Sequence, residues 1–447
     1  MGGSTTQWGG QALPLMPSDF EKRDWVAHSG WPIQFDELKT YYERACKFLL
    51  VDDKNFDTDL FDYLHAQPSV FHPGKIWYHF SKWSPKPSLR ETYVPGLRDS
   101  SDCTLLLHAN VTRIELNGNL NCVSTLDAKS LTGRSVTMRP RQVVLCVGGI
   151  ETARLLLANH SQHACGLGNQ HDLVGRFFQD HPNAQVGWVK TKNPGRVQRL
   201  LNVFHKHGLK YSVRCTATSS WQQEYKTLSA SMGITFVQEG TYFEDLRDVY
   251  TAARNGTISV EVFRKLLRTA VHPMRVAAPV WHYVAKGRSF APGAGLQVGL
   301  TCEQEPDPES RILLSKKTDA LGMPLSDVRW KVTDLTLQTM RIFAKMLREE
   351  FLSAGLGEIE LDPWLQSDTD VADWRTHISD QYHHIGTARM SDSPREGVVD
   401  RECRMHGISN LFVGSSAVFP TSGHSNPTLT ILALSMRLAD KLKRETE

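Results

Sequence analysis

From Phe35 to Leu50, apolar and aromatic positions recur at helical spacing, which predicts an amphipathic helix starting near Asp36. Ahead of it, residues 1–25 are glycine-rich and then polar, with Pro14 and Pro17, and predict an entry loop and not an element. Leu105 to Leu116 alternates as a strand does and runs into Asn117-Gly118, a hairpin-type turn. A second strand before Gly133 and a third after it predict a small antiparallel excursion. Next, the apolar run from Gln142 to Val147 stops at Gly148-Gly149 and opens a helix through Leu157. That is the pattern of a buried parallel strand feeding a βα turn, the place where doubly wound sheets bind ligands.

Residues 186–330 carry weaker, mixed patterns with several aromatics and no repeat. Two basic amphipathic helices are predicted, near 258–272 and over 335–354. In the second, Leu335, Met340, Phe343, Leu347, Phe351 and Ala354 line one face, and Gly355 is a natural stop. Leu411-Phe412-Val413 predicts a short strand, and Gly414 to Ala417 a small-residue turn that lets a ligand approach the backbone. Asn426, Pro427 and the apolar positions from Leu429 to Leu438 then predict an N-cap, an N1 proline and a core helix. No segment has linker composition, so two lobes that share interleaved segments are expected.

At 447 residues, with 40% apolar and 22% charged content, this is the composition of a globular chain with a large core. A net charge of +3 without a basic stripe gives no electrostatic case for nucleic acid. No apolar run is long enough for a membrane span, and the first residues lack the zones of a secretory signal, so the chain as written reads as cytoplasmic. The eight cysteines are scattered and read as reduced thiols, Cys146 as a small core residue within its strand. No HExxH occurs among the 18 histidines, and Asp368-Thr369-Asp370 reads as a helix start and not as a calcium loop, so no metal is expected.

Chemistry concentrates near the C-terminus. His383 and His384 lie in a glycine-bearing loop, and Asn426 stands at the mouth of an apolar helix. A base and a hydrogen-bonding partner beside a helix N-terminus suit oxidation of an alcohol against a flavin, whose reduced ring is anionic. The residues alone leave a second reading open, in which Asn426 merely caps a core helix and the histidines are satisfied by backbone carbonyls.

The pair HHIGTARM (from His383) and NLFVGSSAVFPTSGHSNPTLTILALSMRLAD (from Asn410) resembles the C-terminal signature of the glucose–methanol–choline (GMC) oxidoreductases. It is most similar to the sugar-oxidising branch of pyranose oxidases and the large subunits of fructose and gluconate dehydrogenases. GGSTTQWGG near the start, VVLCVGGIETARLLL, DLVGRFFQDHP (Asp172 to Pro182), EQEPDPESRILLS and DALGMPLSDVRW extend the likeness over most of the chain. The resemblance implies an α/β fold: a Rossmann-like FAD-binding domain over 1–25, 90–185 and 372–447. An α+β substrate-binding domain and lid would take 26–89 and 186–371. It implies an FAD-dependent enzyme oxidising the CH–OH group of an alcohol, a sugar or other polyol, with His383 as the base and Asn426 on the same substrate oxygen. His424 would be an extra substrate contact. Flavin contacts would come from Gly3, Ser4 and Trp8 beside the ring, Val111 by backbone near the adenine, and Gly148 and Gly149 at the βα turn. Ser415, Ser416, Ala417, Pro427 and Thr428 would lie near the pyrimidine edge.

The sequence departs from that family in three places. Gln7 replaces the histidine that pyranose oxidases link covalently to flavin, so FAD is expected to bind noncovalently. Ser415 stands where many members have an aspartate. No GxGxxG precedes the GGSTTQWGG segment: Gly166-Leu167-Gly168 and Gly293-Ala294-Gly295 lack the third glycine and the strand–helix context. The expectation is a missing N-terminal βαβ unit, from a late-called start or a truncated gene, and weak or no FAD binding by the chain alone. The competing reading is an inactive relic, or a split subunit whose partner supplies that unit. An export signal in a missing N-terminus would make the protein periplasmic, and the family implies a small or cytochrome subunit as a partner. The electron acceptor and the alcohol are not legible.

Overall fold

Two apolar clusters organise the computed structural model, which describes residues 3–238, 259–270, 273–366 and 374–446 and a few single positions between 239 and 258. The first cluster holds Leu38, Tyr42, Leu145, Leu156, Phe178, Ile385, Phe412, Phe419, Leu429 and Leu438. The second holds Phe80, Tyr211, Val213, Met232, Val298, Phe343, Leu347 and Trp364.

Around the first cluster, the helix Phe35–Phe48 lies along the C-terminal helix Thr428–Thr446. Tyr42 Oη shares a 2.9 Å hydrogen bond with Thr430 Oγ1 between them. β3 (Asn110–Leu116), β4 (Val123–Lys129) and β5 (Ser135–Met138) form the expected antiparallel excursion. β6 (Val143–Leu145) runs parallel to β16 (Leu411–Val413), in register Leu411 to Val143. The helix Gly148–Ala158 follows β6 directly and packs on the hairpin of β12 (Arg311–Thr318) and β13 (Pro324–Arg329). Arg154 fastens that contact, donating to the Pro324 carbonyl and the Asp319 carboxylate at 2.6 Å each.

The second cluster lies under an antiparallel nine-stranded sheet. Its main path is β1 (Gln11–Ala12), β2 (Ile76–Trp83), β9 (Leu209–Ala217), β10 (Ala230–Val237), β11 (Gly295–Cys302), β7 (Asn183–Lys190) and β14 (Glu358–Leu361). β8 (Phe204–Lys206) adds to β9, and β15 (Ile378–Ser379) to β7. Strand alternation gives the sheet two unlike faces. Tyr78, Phe80, Tyr211, Val213, Cys215, Met232, Leu296, Val298 and Leu300 point into the core, against the helix Asp334–Ser353. The register puts Trp77, His79 and Ser81 of β2 beside Thr216, Arg214 and Ser212 of β9 on the opposite, polar face. This mixed α/β architecture is the expected class, and the sheet is what the weak patterns of 186–330 conceal.

Several local expectations change. The strand predicted from Leu105 starts only at Asn110, where pairing with Lys129 begins; Leu106 and Leu107 are half exposed and have no partner strand. The entry segment is not wholly loop, because Gln11 and Ala12 pair with Trp83 and Lys82, and Pro17 starts a one-turn helix to Phe20. Cys146 is not a core residue: β6 is covered on one face, and Val144 and Cys146 lie on the open one. The two basic helices appear as Val260–Ala270 and Asp334–Ser353, the second ending before Gly355 at φ +63°. Asp368 to Asp370 lies outside the described residues.

Candidate active site

The loop that carries His383 is fixed by one buried carboxylate. Asp180 Oδ1 accepts from the backbone N–H of His181 at 2.6 Å, of His383 at 3.0 Å and of Gln381 at 3.1 Å. Gln179 and Ile385 exchange both backbone hydrogen bonds, at 3.0 and 2.9 Å. Gly386 follows at φ +90°, and a Cβ there would lie 2.2 Å from the Phe177 carbonyl oxygen, so only glycine permits the approach. The segment Phe177–His181 is thus the template on which the histidine loop is laid.

The imidazoles form a directed chain. His181 Nε2 lies 2.9 Å from the Gly423 carbonyl, which only accepts, so this nitrogen carries the proton. Its Nδ1 then accepts, and His383 Nδ1, 2.8 Å away, must donate to it. That leaves His383 Nε2 unprotonated, its lone pair accepting from Asn426 Nδ2 at 3.3 Å. The expected pair is therefore brought together, with the basic nitrogen on the Asn426 side. Burial drives the His383 pKa down to about 2, with the charges of His181, His384 and Arg214 adding to it, so the ring is neutral at ordinary pH. Asp180, His181 and His383 place three donor atoms within 4.8 Å, a spacing that would suit a metal ion. The hydrogen bonds just described already engage them, and the cluster acts as an orienting network.

Asn426 does not cap the helix as expected. The Pro427 carbonyl accepts the first intrahelical bond, from Ile431 N–H at 2.9 Å, so the asparagine stands one position before the cap and its amide is free to face His383. The N–H groups of Thr428, Leu429 and Thr430 precede that first bond and point out of the helix start.

The other predicted residues fall into two groups. Gly149, Ser416 and Ala417 surround the histidine loop. Ser416 Oγ donates to the His384 carbonyl and Thr387 Oγ1 to the Gly149 carbonyl, both at 2.6 Å, and Ala388 N–H donates to the Ala417 carbonyl at 2.8 Å. A Cβ on Gly149 would meet the His384 carbonyl at 2.5 Å. Gly148, at φ +78°, has open space beside it, and Ser415 accepts from Ala417 N–H at the strand end. Further off, Gly3 and Ser4 are exposed in a 3₁₀ turn, and Gln7 is exposed after it. Trp8 Nε1 donates to the Pro87 carbonyl at 2.5 Å, and Val111 is half-buried against the first cluster.

His424 is buried, and both ring nitrogens are engaged, Nδ1 with Ser229 Oγ at 2.9 Å and Nε2 with Thr216 Oγ1 at 3.2 Å. It ties the loop before Asn426 to β9 and to the residue preceding β10. His79 approaches it edge-on, with centroids 6.1 Å apart, and stacks on Trp77 at 3.8 Å. Sequence reasoning missed His181, Asp180, His79 and Arg214. The first two sit inside DLVGRFFQDHP, whose polar end was the available signal; the others announce nothing locally.

His79 supports a stability prediction. It is fully buried, and burial with the nearby Arg214 charge lowers its pKa to about 3. The unfolded chain takes up a proton near 6.5, so stability is complete above that pH and is lost as pH falls below it. At pH 5 the loss is about 2 kcal/mol. The drop in melting temperature between pH 7 and pH 5 should therefore be smaller in His79→Gln; an unchanged drop would show that this ring does not titrate on unfolding.

Residues 306–435 match the family described as GMC oxidoreductase. The fructose dehydrogenase large subunit of Gluconobacter japonicus is 25% identical over 490 aligned positions, covering 99% of this chain and 80% of that one. The 2-methyl-1,2-propanediol dehydrogenase of Mycolicibacterium austroafricanum is 23% identical, with the same coverage of 99% and 80%. Among solved structures, an FAD-dependent oxidoreductase from Chaetomium thermophilum superposes with a TM-score of 0.58 at 13% identity, covering 99% and 86% of the two chains. Pyridoxine 4-oxidase from Mesorbium loti gives 0.56 at 15% identity, covering 97% and 82%. No helix of the described residues is long and apolar enough to cross a membrane. Residues 306–435 are thus a GMC oxidoreductase C-terminal domain, and the chain as a whole shares the fold of those solved structures.

Proposed function

We propose that this chain is an FAD-dependent oxidoreductase of the CH–OH group of an alcohol, a sugar or other polyol, with His383 Nε2 as the base. The observation that carries the reading is that this nitrogen is unprotonated and turns its lone pair toward Asn426. Its state is set by the chain from the Gly423 carbonyl through His181, and it faces an amide that can share the substrate oxygen. Held this way, the hydroxyl would give its proton to Nε2 while donating no other bond, and Asn426 Nδ2 would donate to the oxygen as its charge builds. FAD, when bound, supplies the acceptor for the hydride on the same carbon.

The chain's residues fit a flavin at this place. Open space beside Gly148 and the exposed face of Val144 leave room along the end of β6. The unbonded N–H groups at the start of the Thr428–Thr446 helix favour an anion by roughly 0.3–2 kcal/mol. Ser415 to Ala417, Pro427 and Thr428 would border the ring, with Gly3, Ser4 and Trp8 on its other side and Val111 toward the adenine. Gln7 cannot form a bond to the flavin, so the cofactor is proposed to be noncovalent and removable by denaturation. The domain division given above is proposed on the same grounds. One relative is by name the large subunit of its enzyme, and a partner subunit is proposed by analogy.

The direct test is anaerobic mixing of flavin-loaded protein with polyols, following loss of flavin absorbance. Asn426→Ala should slow that reduction by roughly 3–10-fold, the worth of one hydrogen bond of about 0.5–1.5 kcal/mol. A flavin that no alcohol bleaches would end the reading, and an unaffected Asn426→Ala rate would remove the asparagine from it.

A further inference from the structure

The wall of the substrate side carries a cation with no counter-charge. Arg214 projects from β9 on the polar face of the sheet, cross-strand from His79. Its Nε is shut away from solvent without a hydrogen-bond partner, and no ion pair engages the guanidinium among the described residues. Across β2, β9, β10 and β11 this face presents no carboxylate: its positions are Trp77, His79, Ser81, Trp83; Lys210, Ser212, Thr216; Ser231, Gly233, Thr235; and Gln297, Gly299, Thr301. Two buried acids at the site are engaged elsewhere, Glu303 by Arg23 and Asp180 by three backbone N–H groups.

The space around the guanidinium is built open. Arg214 Nη1 extends over β10 at Gly233, where a Cβ would sit 3.5 Å away. The cross-strand partner of Gly233 on β11 is Gly299, above which only distant backbone lies, at 3.8 Å or more. Two adjacent glycines thus floor a trough in the sheet, with Arg214 along its side. On the same face Thr216 bonds His424, in the loop whose Asn426 contacts His383, which puts the trough on the same side as the candidate base.

Arg214 is only half-buried and Nε alone is closed to solvent, so its Nη groups are left to meet an anion in the trough. That burial pulls the Arg214 pKa down to about 10, with only Cys215 opposing. No carboxylate of this face supplies the counter-charge, which leaves the guanidinium to an anion from outside.

We infer that the substrate is an alcohol bearing an anionic group, a sugar acid or related hydroxy acid, whose carboxylate or phosphate sits in the Gly233–Gly299 trough against Arg214. The inference deepens the reading of the previous subsection and rests on it. The carbinol would lie at His383 and Asn426, and the anion would fix which hydroxyl is presented. A planar guanidinium offers a carboxylate two parallel N–H donors, so it orients as well as attracts. An anion there also draws charge away from the histidines that Arg214 now faces alone.

Binding, not turnover, is the test, so that loss of the base and loss of the anion site give separate results. Calorimetry on the flavin-loaded His383→Ala protein would compare D-gluconate, D-glucitol and D-glucitol 6-phosphate, with shorter hydroxy acids and their uncharged alcohols. One of the two anions should bind roughly 10–100-fold more tightly than glucitol, the worth of a charge-assisted pair, and which one identifies the anionic group. In Arg214→Gln that preference should collapse toward unity, and Arg214→Lys should restore part of it. No anion preference over the uncharged alcohols, or a preference that survives in Arg214→Gln, would overturn the inference. An anion preference in a protein whose unsubstituted form reduces no flavin would uphold the site and sink the base.

Discussion

Replacing His383 by alanine is expected to lower the rate of flavin reduction by about 10²–10⁴, the usual worth of a positioned base. Folding should be little affected, because the loop is held through backbone groups: the residue 383 N–H still reaches Asp180, and Ile385 still pairs with Gln179. Flavin content should likewise stay near that of the unsubstituted protein. The effect exceeds that of Asn426→Ala because only the histidine removes a proton, whereas the asparagine steadies an oxygen. The directed chain adds a qualitative check. With Nδ1 committed to His181, the ring enters the reaction neutral, so the acid limb of the rate against substrate should fall well below the ordinary histidine value near 6.5. Turnover within a few-fold of the parent in His383→Ala, with flavin content matched, would remove this residue from the chemistry.

How much of this could be read in the chain depends on how local each signal is. The loop at His383, the turn at Gly148, the strand Leu411–Val413 and the C-terminal helix each declare themselves within a dozen residues, and they do assemble around one another. The helix Phe35–Phe48 was equally legible, from its apolar spacing. The sheet was not. Its strands follow the path β2–β9–β10–β11–β7, so residues adjacent in space come from positions near 80, 214, 232, 299 and 185. Its polar face alternates with a core face, but bulges such as that at Val298–Gly299 break the period. Arg214 is the clearest case. In the sequence it is one arginine between a valine and a cysteine; its meaning appears only when His79 and Gly233 arrive on either side. Asn426 shows the reverse failure: the local rule made it a cap, and the tertiary contact with His383 overrode that rule.

The largest stability effect is expected at Arg23. Arg23→Met should destabilise the protein by about 3–5 kcal/mol, the cost of leaving one partner of a buried ion pair uncompensated. Arg23 is 5% exposed and Glu303 is fully buried, and the two form a bidentate pair at 2.8 and 2.6 Å. Glu303 also accepts from Ser229 N–H at 3.0 Å, the residue whose hydroxyl holds His424. Asp19 lies close by. Burial, with the Glu303 charge added, raises its pKa to about 7, so this corner already holds as much negative charge as it can bear. The Arg23 charge holds that Asp19 pKa down, so without the arginine the folded state should bind the Asp19 proton more tightly still. Stability would then be recovered as pH falls, and the deficit of Arg23→Met should be smaller at pH 5.5 than at pH 8. Arg23→Met combined with Glu303→Gln should regain most of the loss, because the charge left behind is removed with its partner. The consequence reaches the active site, since Asp19 abuts Gly423, where a Cβ would stand 2.4 Å from its carboxylate, in the loop that positions His424 and Asn426. Thermal unfolding of the two variants across that pH range decides the matter. A deficit that neither shrinks toward pH 5.5 nor is relieved by Glu303→Gln would mean that lost packing, and not the stranded carboxylate, is what Arg23 prevents.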